Sequence, residues 1–516
     1  MTTQNQRFCR RAPHSAVVAA LALTLAGIVG PVSAANFQYR HLVYGLTAPV
    51  NPPSQLQQAA AEIVVALTGG PALPAGEVNW PYSYDLKQLL TITGESWSSP
   101  NVSWSLPAGA LPAGLSLGAD GVISGIPTTK DLVGANFQVK ASYKGKDGQQ
   151  VYTIVVNGAV LHVTQIAAGS LHTCAITTAG GVKCWGQNYY GQLGNNSTAA
   201  STVPVSVSGL SSNVIKVSAG GSHTCALTNT NGLKCWGRNT YGQLGDGTTQ
   251  QRNTPVDVYQ RTSGIASIAA GYDHTCAVTA AEGALCWGFN TNGQLGNGNS
   301  THQLVPAAVS GLSTGVASIS AGQLHTCAVT TTGSAKCWGQ NGSYGLLGNN
   351  SVTDSITPVQ VSGLTTGVAR VAVGNLTSCA LTTTGGVLCW GFNSYGQVGD
   401  GTTASPRMTP VAVSSLSSGV TTISVGYAHA CAVTNGGALL CWGANGYGQL
   451  GDGTNTNRSS PVLTGSLSSG VSGIATGNGH ACALTAEGPK CWGRNDTGQL
   501  GDNSTTHKTS PVNVSP

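Results

Sequence analysis

Residues 172–194 read HTCAITTAGGVKCWGQNYYGQLG, and this stretch decides the fold because variants of it recur along the chain. The first cysteine of each copy stands at Cys174, Cys225, Cys276, Cys327, Cys379, Cys431 and Cys482, in steps of 51 or 52 residues. Seven units of nearly one length, with no large insertion, predict a repeat architecture.

Each unit divides into four short stretches suited to β-strands and separated by glycine. In the first unit these are Val163–Ala168, His172–Thr177, Val182–Gly186 and Val203–Val207. Four short strands in about 50 residues is the pattern of a propeller blade. Seven blades would close into a ring with no long exposed sheet edge. The low share of charged residues, 8%, argues further against a mainly helical protein.

Two cysteines occur in each unit, in the second and third predicted strands. If these strands form a hairpin that turns near Ala179-Gly180, Cys174 lies opposite Cys184 and Ile176 lies opposite Val182. Directly opposed residues of a hairpin are close enough for a disulfide. We therefore predict seven disulfides, each within one unit: Cys174–Cys184, Cys225–Cys235, Cys276–Cys286, Cys327–Cys337, Cys379–Cys389, Cys431–Cys441 and Cys482–Cys491. The last pair is nine residues apart instead of ten, so its turn should be one residue shorter.

Two other uses of the cysteines are less well supported. A zinc site needs four ligands, and His172, Cys174 and Cys184 offer three. Redox catalysis favours a Cys-x-x-Cys motif, which the sequence lacks.

Histidine and tryptophan recur at fixed places in the units. Six units carry a histidine two residues before the first cysteine, at His172, His223, His274, His325, His429 and His480. A tryptophan follows the second cysteine in all seven, at Trp185, Trp236, Trp287, Trp338, Trp390, Trp442 and Trp492. A ring of histidines could bind metal or sense pH, and a ring of tryptophans could stack on a ligand. A residue that every blade needs is more simply a packing or hydrogen-bonding group, and we predict that role for both sets.

Gly-Asp-Gly-Thr runs invite a calcium interpretation at Asp246, Asp400 and Asp452. Calcium needs six to eight converging oxygens, whereas these are single carboxylates in separate units. We interpret them as turn residues. The sequence has no His-Glu-x-x-His motif and no phosphate-binding loop, and we predict no catalytic residue, metal or cofactor.

The N-terminus has the order of a secretory signal over residues 1–34. Arg7, Arg10 and Arg11 precede an apolar run from Ala16 to Gly30, and small residues suit cleavage after Ala34. Removing this segment takes away Cys9, which leaves an even number of cysteines, and lowers the formal net charge from +5 to +2. The nearly neutral mature chain gives no electrostatic reason to expect nucleic-acid binding. No later segment looks long and apolar enough to span a membrane.

A different pattern precedes the repeats. The structure of residues 35–75 is uncertain from sequence, although Gln55–Leu67 suits a short helix. Residues 76–160 contain Leu111-Pro-Ala-Gly-Leu115 and Gly121-Val-Ile-Ser-Gly-Ile-Pro127. These motifs resemble those of the immunoglobulin-like domains of bacterial surface proteins. The resemblance implies a β-sandwich that serves as a spacer or adhesive unit, a bacterial origin and an extracellular role.

The repeats resemble those of the regulator of chromosome condensation family. Ala168-Gly169, His172, Trp185-Gly186 and the run from Tyr190 to Gly194 carry the match in the first unit. The resemblance implies a seven-bladed β-propeller over residues 163–516. The expected fold is therefore all-β, an immunoglobulin-like sandwich followed by a propeller.

We interpret the chain as a binding protein that is secreted, periplasmic or held at the cell surface, and not as an enzyme. The partner expected is a protein or a glycan outside the cytoplasm, and the chain is expected to be monomeric. Some propellers of this family block extracellular hydrolases, so an inhibitor is one alternative. The family resemblance also suggests a guanine-nucleotide exchange factor, but the signal and the cysteines argue against a cytosolic role.

Overall fold

The computed structural model describes residues 61–97 and 101–516, and residues 61–516 form one unit. The predicted signal peptide, its cleavage site near Ala34 and Cys9 lie outside the described residues. None of the helical segments within the described ranges is long and apolar enough to cross a bilayer.

Residues 163–516 form seven four-stranded antiparallel sheets, one from each sequence unit. We number the blades in chain order and call their strands A to D. The A strands are Val163–Ala168, Val214–Ala219, Ile265–Ala270, Val316–Ala321, Val368–Val373, Val420–Val425 and Val471–Thr476. The B strands are His172–Thr177, His223–Thr228, His274–Thr279, His325–Thr330, Thr377–Thr382, His429–Thr434 and His480–Thr485. The C strands are Val182–Gly186, Leu233–Gly237, Ala284–Gly288, Ala335–Gly339, Val387–Gly391, Leu439–Gly443 and Gly488–Gly493. The D strands are Ser201–Ser206, Arg252–Asp257, Gln303–Ala308, Ser355–Gln360, Arg407–Ala412, Arg458–Leu463 and Lys508–Asn513.

The register of the B and C strands is the one that the cysteine spacing predicts. Cys174 is the partner of Cys184, and Ile176 is the partner of Val182. In blade 7, Cys482 pairs with Cys491 and the hairpin turns one residue earlier. The structure contains all seven cystines, with Cα–Cα distances of 4.0 to 4.1 Å.

The hydrophobic core of the propeller is divided into seven clusters, each shared by two neighbouring blades. Between blades 1 and 2, the disulfide of Cys174 and Cys184 packs with Leu193 against Val217 and Trp236 of the next blade. The tryptophan of each blade is fully buried in this way against the blade before it. This arrangement agrees with the predicted packing role of the tryptophans, because each interface buries one large aromatic side chain completely.

The ring closes through contacts between blades 7 and 1, and neither blade lends a strand to the other. Trp185 of blade 1 packs in a cluster with Cys482 and Leu500 of blade 7. Near the axis, backbone hydrogen bonds join consecutive A–B turns, such as Ser170 N to Gly220 O at 3.0 Å. Glycine is required at 169 because a Cβ there would lie 2.5 Å from the carbonyl oxygen of Gly220. The ring is thus closed by repeated side-chain and turn contacts.

Residues 64–157 form an all-β module with three small sheets. Its strands are Val64–Leu67, Gly76–Glu77, Tyr82–Asp85, Leu90–Thr93, Ser103–Gly109, Leu115–Leu117, Val122–Gly125, Asp131–Tyr143 and Lys146–Asn157, with a 3-10 turn at Leu86–Leu89. A second 3-10 turn lies in the propeller at Gly342–Tyr344. The predicted fold class, a propeller with an N-terminal immunoglobulin-like sandwich, is confirmed.

The helix predicted over Gln55–Leu67 is wrong within the described residues. Val64–Leu67 is a strand that pairs with Leu90–Thr93. Val65 and Leu67 alternate into the core of the module, and an alternating β-branched segment suits a half-buried strand better than a helix. This module therefore includes residues before the predicted boundary at 76.

The module is joined to the propeller by a polar contact around Glu77. Its carboxylate accepts a hydrogen bond of 2.8 Å from the backbone N–H of Val160 and lies 3.0 Å from Nε2 of His162. The ring of Trp80 packs on His162 with 3.8 Å between centroids. These residues attach the module beside the first strand of blade 1.

Candidate binding face of the propeller

The A–B turns and the C–D loops emerge on the same side of the ring, because strands A and C run in one direction and strands B and D in the other. We call this side the upper face and the side of the B–C hairpins and D–A loops the lower face. In blade 1 the upper face is formed by residues 169–171 and 187–200. The sheets fix where each loop starts and ends, so the upper face is a set of loops on a stiff scaffold.

A buried asparagine holds each C–D loop in shape. In blade 1, Nδ2 of Asn188 donates to the carbonyl oxygens of Ser197 and Ala199, both at 2.9 Å, while its Oδ1 accepts from the backbone N–H of Leu193. The equivalent residues are Asn239, Asn290, Asn341, Asn393, Asn445 and Asn495, all buried. Because one amide satisfies several loop backbone groups, these long loops are ordered without secondary structure of their own.

The aspartates considered as calcium ligands belong to the same loops. Oδ1 of Asp246 accepts from the backbone N–H and the hydroxyl of Thr248, and Oδ2 accepts from Arg252 at 3.1 Å. Burial would raise the pKa of this carboxyl, but the hydrogen bonds from Thr248 and Arg252 outweigh it and hold the pKa below its ordinary value. Asp400 and Asp452 make the same contacts with Arg407 and Arg458. Within the described residues no three histidine, cysteine or acidic side chains are grouped to hold a metal ion.

The predicted histidine set lies between blades and is completely buried. Nε2 of His172 is 2.9 Å from the hydroxyl of Thr224 in blade 2, and that hydroxyl donates to the carbonyl oxygen of Gln192. The threonine proton is thus used, so the histidine carries its own proton on Nε2 and donates. Burial lowers the pKa of His172 to about 4 and that of His274 to about 3. Five of these side chains are neutral bridges between blades, His429 has no hydrogen-bond partner among the described residues, and blade 5 has Thr377 in the histidine's place.

Tyrosine dominates the accessible aromatic surface of the upper face. Of the seven tyrosines with an exposed side chain in the described residues, six lie there: Tyr189, Tyr272, Tyr344, Tyr395, Tyr427 and Tyr447. Tyr189 is 72% exposed. The seventh, Tyr259, lies in a D–A loop on the lower face. Exposed aromatic side chains grouped on one side of a protein mark an interaction surface.

In blades 2, 3, 5 and 7 the residue that follows Trp-Gly packs against a tyrosine of the preceding blade. Arg238 of blade 2 lies over the rings of Tyr190 and Tyr241, 5.3 and 5.5 Å from their centroids. Phe289 of blade 3 contacts Tyr241 at 4.8 Å. Phe392 of blade 5 contacts Tyr344 at 5.3 Å. The upper face is therefore lined by aromatic and arginine side chains that support one another across blade boundaries.

Two arginines of this face are paired with carboxylates. Arg238 lies 3.3 Å from Asp273, which also accepts from Gln243. Burial raises the pKa of Asp273, and the neighbouring Arg238 opposes that rise. In blade 7, Arg494 lies 5.1 Å from the Tyr447 centroid and pairs with Asp496, which is also 3.3 Å from His507. Both polar clusters hold an arginine in a fixed position beside tyrosine rings of the upper face.

The buried asparagines that hold the C–D loops and the variable residue after Trp-Gly were not predicted from the sequence. The asparagines were visible as an invariant letter of the repeat. The variable position is occupied by Gln187, Arg238, Phe289, Gln340, Phe392, Ala444 and Arg494. A position that varies within an otherwise uniform repeat indicates a surface residue that the packing of the blades does not require.

Comparison with known families identifies both parts of the chain. The family described as "Regulator of chromosome condensation (RCC1) repeat" matches residues 179–227, 235–278, 283–329, 384–433 and 436–484. A second description of the same repeat matches residues 163–192, 214–243, 265–294, 316–345, 368–397 and 420–449. The family described as "Putative Ig domain" matches residues 64–157.

Individual relatives and solved structures agree with this. The Ultraviolet-B receptor UVR8 of Arabidopsis thaliana is 33% identical over 321 residues, which cover 60% of this chain and 72% of the receptor. The E3 ubiquitin-protein ligase HERC2 of Homo sapiens is 32% identical over 337 residues, which cover 63% of this chain but 7% of the ligase.

The fold is also that of human WBSCR16, with a TM-score of 0.57, 22% identity and coverage of 67% of this chain and 91% of that one. It is likewise that of Prp20p from Saccharomyces cerevisiae, with a TM-score of 0.54, 21% identity and coverage of 61% and 80%. At these identities the two structures establish the fold alone. With repeat matches between residues 163 and 484 and a relative that is 33% identical over 72% of its own length, the chain belongs to the regulator of chromosome condensation repeat family.

Proposed function

We propose that this chain is an extracellular binding protein that holds a protein partner on the upper face of its propeller. The observation that carries the proposal is the placement of six exposed tyrosines on that face, against one on the lower face. Tyrosine gives a large contact area with few rotatable bonds and a hydroxyl that can hydrogen-bond, which is why it is enriched in protein interfaces.

The rigidity of the face supports a binding role. Each blade is braced by a cystine in its B–C hairpin, and each C–D loop is held by its buried asparagine. A surface that is already ordered loses little conformational entropy when a partner binds. The proposed partner therefore meets a preformed surface.

The chemistry of the face favours a protein with mixed polarity. Arg238 and Arg494 are fixed beside tyrosines and paired with Asp273 and Asp496, so the face offers cationic, anionic and aromatic groups together. Arginine and tyrosine are the residues that most often dominate binding energy at protein interfaces. Among the solved structures that share this fold is yeast RCC1 (Prp20) with Kap60 bound, a protein with such a propeller in complex with another protein.

The extracellular part of the proposal rests on the cysteines and the N-terminus. Fourteen cysteines in seven cystines suit an oxidising compartment. Residues 1–34 have the order of a secretory signal. In this proposal the immunoglobulin-like module is a spacer between the N-terminal end of the mature chain and the propeller.

Site-specific photocrosslinking tests the binding face. A photoreactive phenylalanine analogue is placed at Tyr395 or, as the matched control, at Tyr259, and each protein is irradiated with the extracellular proteins of its source. We expect a discrete protein adduct from position 395 and none from position 259. Adducts from 259 alone, or a glycan without peptide at 395, would contradict the proposed partner class.

Export is tested separately. Residues 1–40 are fused to a reporter enzyme that becomes active only after its own disulfides form. Activity outside the cytoplasm is expected, and it should disappear when Arg7, Arg10 and Arg11 are replaced by glutamate. A fusion that stays inactive inside the cell would contradict secretion without bearing on the binding face.

A further inference from the structure

The A strands of the seven blades surround a central channel that none of the contacts above explains. A cavity of about 520 Å³ is lined by A-strand residues of blades 2 to 6. In blades 2 to 5 the third residue of the A strand lines this space, and these residues are Lys216, Ser267, Ser318 and Arg370. They form one arc of the wall, with a cation at each end and two hydroxyls between them.

The arc carries hydrogen-bond donors without matching acceptors. Nζ of Lys216 donates to Oγ of Ser267 at 3.0 Å, which leaves the Ser267 hydroxyl proton free to donate onward. Oγ of Ser318 is buried and has no hydrogen-bond partner. Arg370 has no hydrogen-bond or ion-pair partner among the residues that the structure describes. An unsatisfied polar group in a wall of this kind calls for a ligand or ordered solvent.

Two serines, each two residues further along its A strand, extend the same donor surface. Oγ of Ser218 accepts the backbone N–H of Ala270 at 2.9 Å, and Oγ of Ser320 accepts that of Val373 at 3.1 Å. Each hydroxyl keeps a proton that it can donate into the cavity. No carboxylate of the described chain lines this cavity. The lining therefore combines two positive charges and several hydroxyl donors with nothing to neutralise them.

We propose that the central channel binds a small oxyanion, a phosphate or sulfate group, between Lys216, Ser318 and Arg370. The guanidinium of Arg370 matches two oxygens of such a group, and the ammonium of Lys216 supplies a second charge. The cavity is much larger than the ion alone, so it leaves room for a molecule that carries the group.

The electrostatics of the channel wall agree with this assignment. Burial lowers the pKa of Lys216, and the positive charge of Arg370 lowers it further. Two cations that raise each other's free energy in a partly dehydrated channel are stabilised when an anion lies between them. The anion site is independent of the upper-face tyrosines, so either proposal can fail alone.

Calorimetric titration of the full mature protein with inorganic phosphate, sulfate and a sugar phosphate tests the site. We expect saturable binding of one equivalent, weakened at least tenfold by Lys216→Met or by Arg370→Gln and lost in the double variant. Lys216→Arg keeps the charge and should retain binding. Tighter binding of the sugar phosphate than of inorganic phosphate would identify a phosphate carried by a larger molecule, and the reverse order would identify the free ion.

The matched control is Lys183→Gln, which removes a lysine of a C strand outside the channel. It should bind phosphate as the unaltered protein does. Thermal melting of each variant without ligand shows whether it is folded. If a charge variant does not fold, Ser318→Ala takes its place and should also weaken anion binding. No saturable binding of any of the three anions up to millimolar concentration would overturn the proposal, as would equal loss in Lys183→Gln.

Discussion

The indole Nε1 of Trp236 donates to the carbonyl oxygen of Gln192 in the preceding blade at 2.9 Å. The hydroxyl of Thr224 donates to the same oxygen, also at 2.9 Å. The tryptophan bond recurs around the ring, to Gln243, Gln294, Leu346, Gln397, Gln449 and Gln499. One loop carbonyl in each blade thus accepts a hydrogen bond from the tryptophan of the next blade. This bond couples the shape of the upper-face loops to the packing between blades.

Replacing Trp236 by phenylalanine should loosen the interface of blades 1 and 2. The change removes one hydrogen bond and leaves a small cavity in a fully buried cluster, so we expect a loss of about 2 kcal/mol in the free energy of unfolding. Urea denaturation followed by circular dichroism measures it. Trp80→Phe, at a 42% exposed position, is the control and should cost far less. Equal midpoints for the two variants would contradict the assigned role.

Blade 7 lacks the hydroxyl side chain that bonds the histidine of the preceding blade at the other histidine-bearing interfaces. His429 has no hydrogen bond at either ring nitrogen, because Ala481 stands where blade 2 has Thr224. Ala481→Thr should supply an acceptor for Nε2 of His429 and a donor for the carbonyl of Gln449. We expect a gain of about 1 kcal/mol in the free energy of unfolding, measured as a rise in the urea midpoint.

The control for this gain is Ala430→Thr in blade 6. It adds the same side chain at the equivalent place, but the preceding blade has Thr377 and no histidine there. A smaller gain in this variant isolates the contribution of the histidine. If Ala430→Thr stabilised the protein as much as Ala481→Thr, the histidine bridge would contribute nothing.

The sequence was sufficient for the scaffold because the same physical constraints repeat seven times. The A, B and C strands of blade 1 have the predicted bounds, and the pairing of Cys174 with Cys184 follows from period-two alternation in a hairpin. The D strand is Ser201–Ser206 and not Val203–Val207, because its register is set by pairing of Ser201 with Gly186 rather than by its apolar residues. Outer strands with few buried side chains give a weaker signal.

The two candidate sites could not be predicted in the same way. Tyr190 and Arg238 belong to different units and meet only when the blades are packed. Lys216 and Arg370 are likewise far apart in sequence, and each looks like an ordinary exposed residue of a short strand. Only the ring brings their equivalent positions to one channel. The residues that recur in every unit predict the fold, whereas the residues that differ between units form the two candidate sites.

Acid should weaken the propeller well before the carboxylates are protonated. Burial lowers the pKa of His223 and His480 to about 3, so they stay neutral in the folded state while the unfolded chain takes up protons below about 6.5. The stability that neutral histidines provide is therefore complete above about pH 6.5 and is lost as the pH falls toward the folded pKa. Each buried histidine costs roughly 1.4 kcal/mol per pH unit in that window.

Urea midpoints between pH 7.5 and 5 measure this dependence. His429→Gln removes one of the six buried histidines and should reduce proton uptake on unfolding by about one. A variant whose midpoints fall with pH as steeply as those of the unaltered protein would show that the histidines do not govern acid stability.

The cystines should be inaccessible in the folded protein, because all fourteen cysteines of the propeller are completely buried. The mature chain is expected to show no reactive thiol in native buffer or in denaturant, and fourteen after denaturation with a reductant. Replacing both Cys327 and Cys337 by alanine should lower the free energy of unfolding by about 2–3 kcal/mol, since it opens one short loop in the unfolded chain. Under reducing conditions that difference should shrink, because the unaltered protein then loses the same constraint. Thiols that react in the native mature chain, or a difference unchanged by reductant, would contradict the pairing within blades.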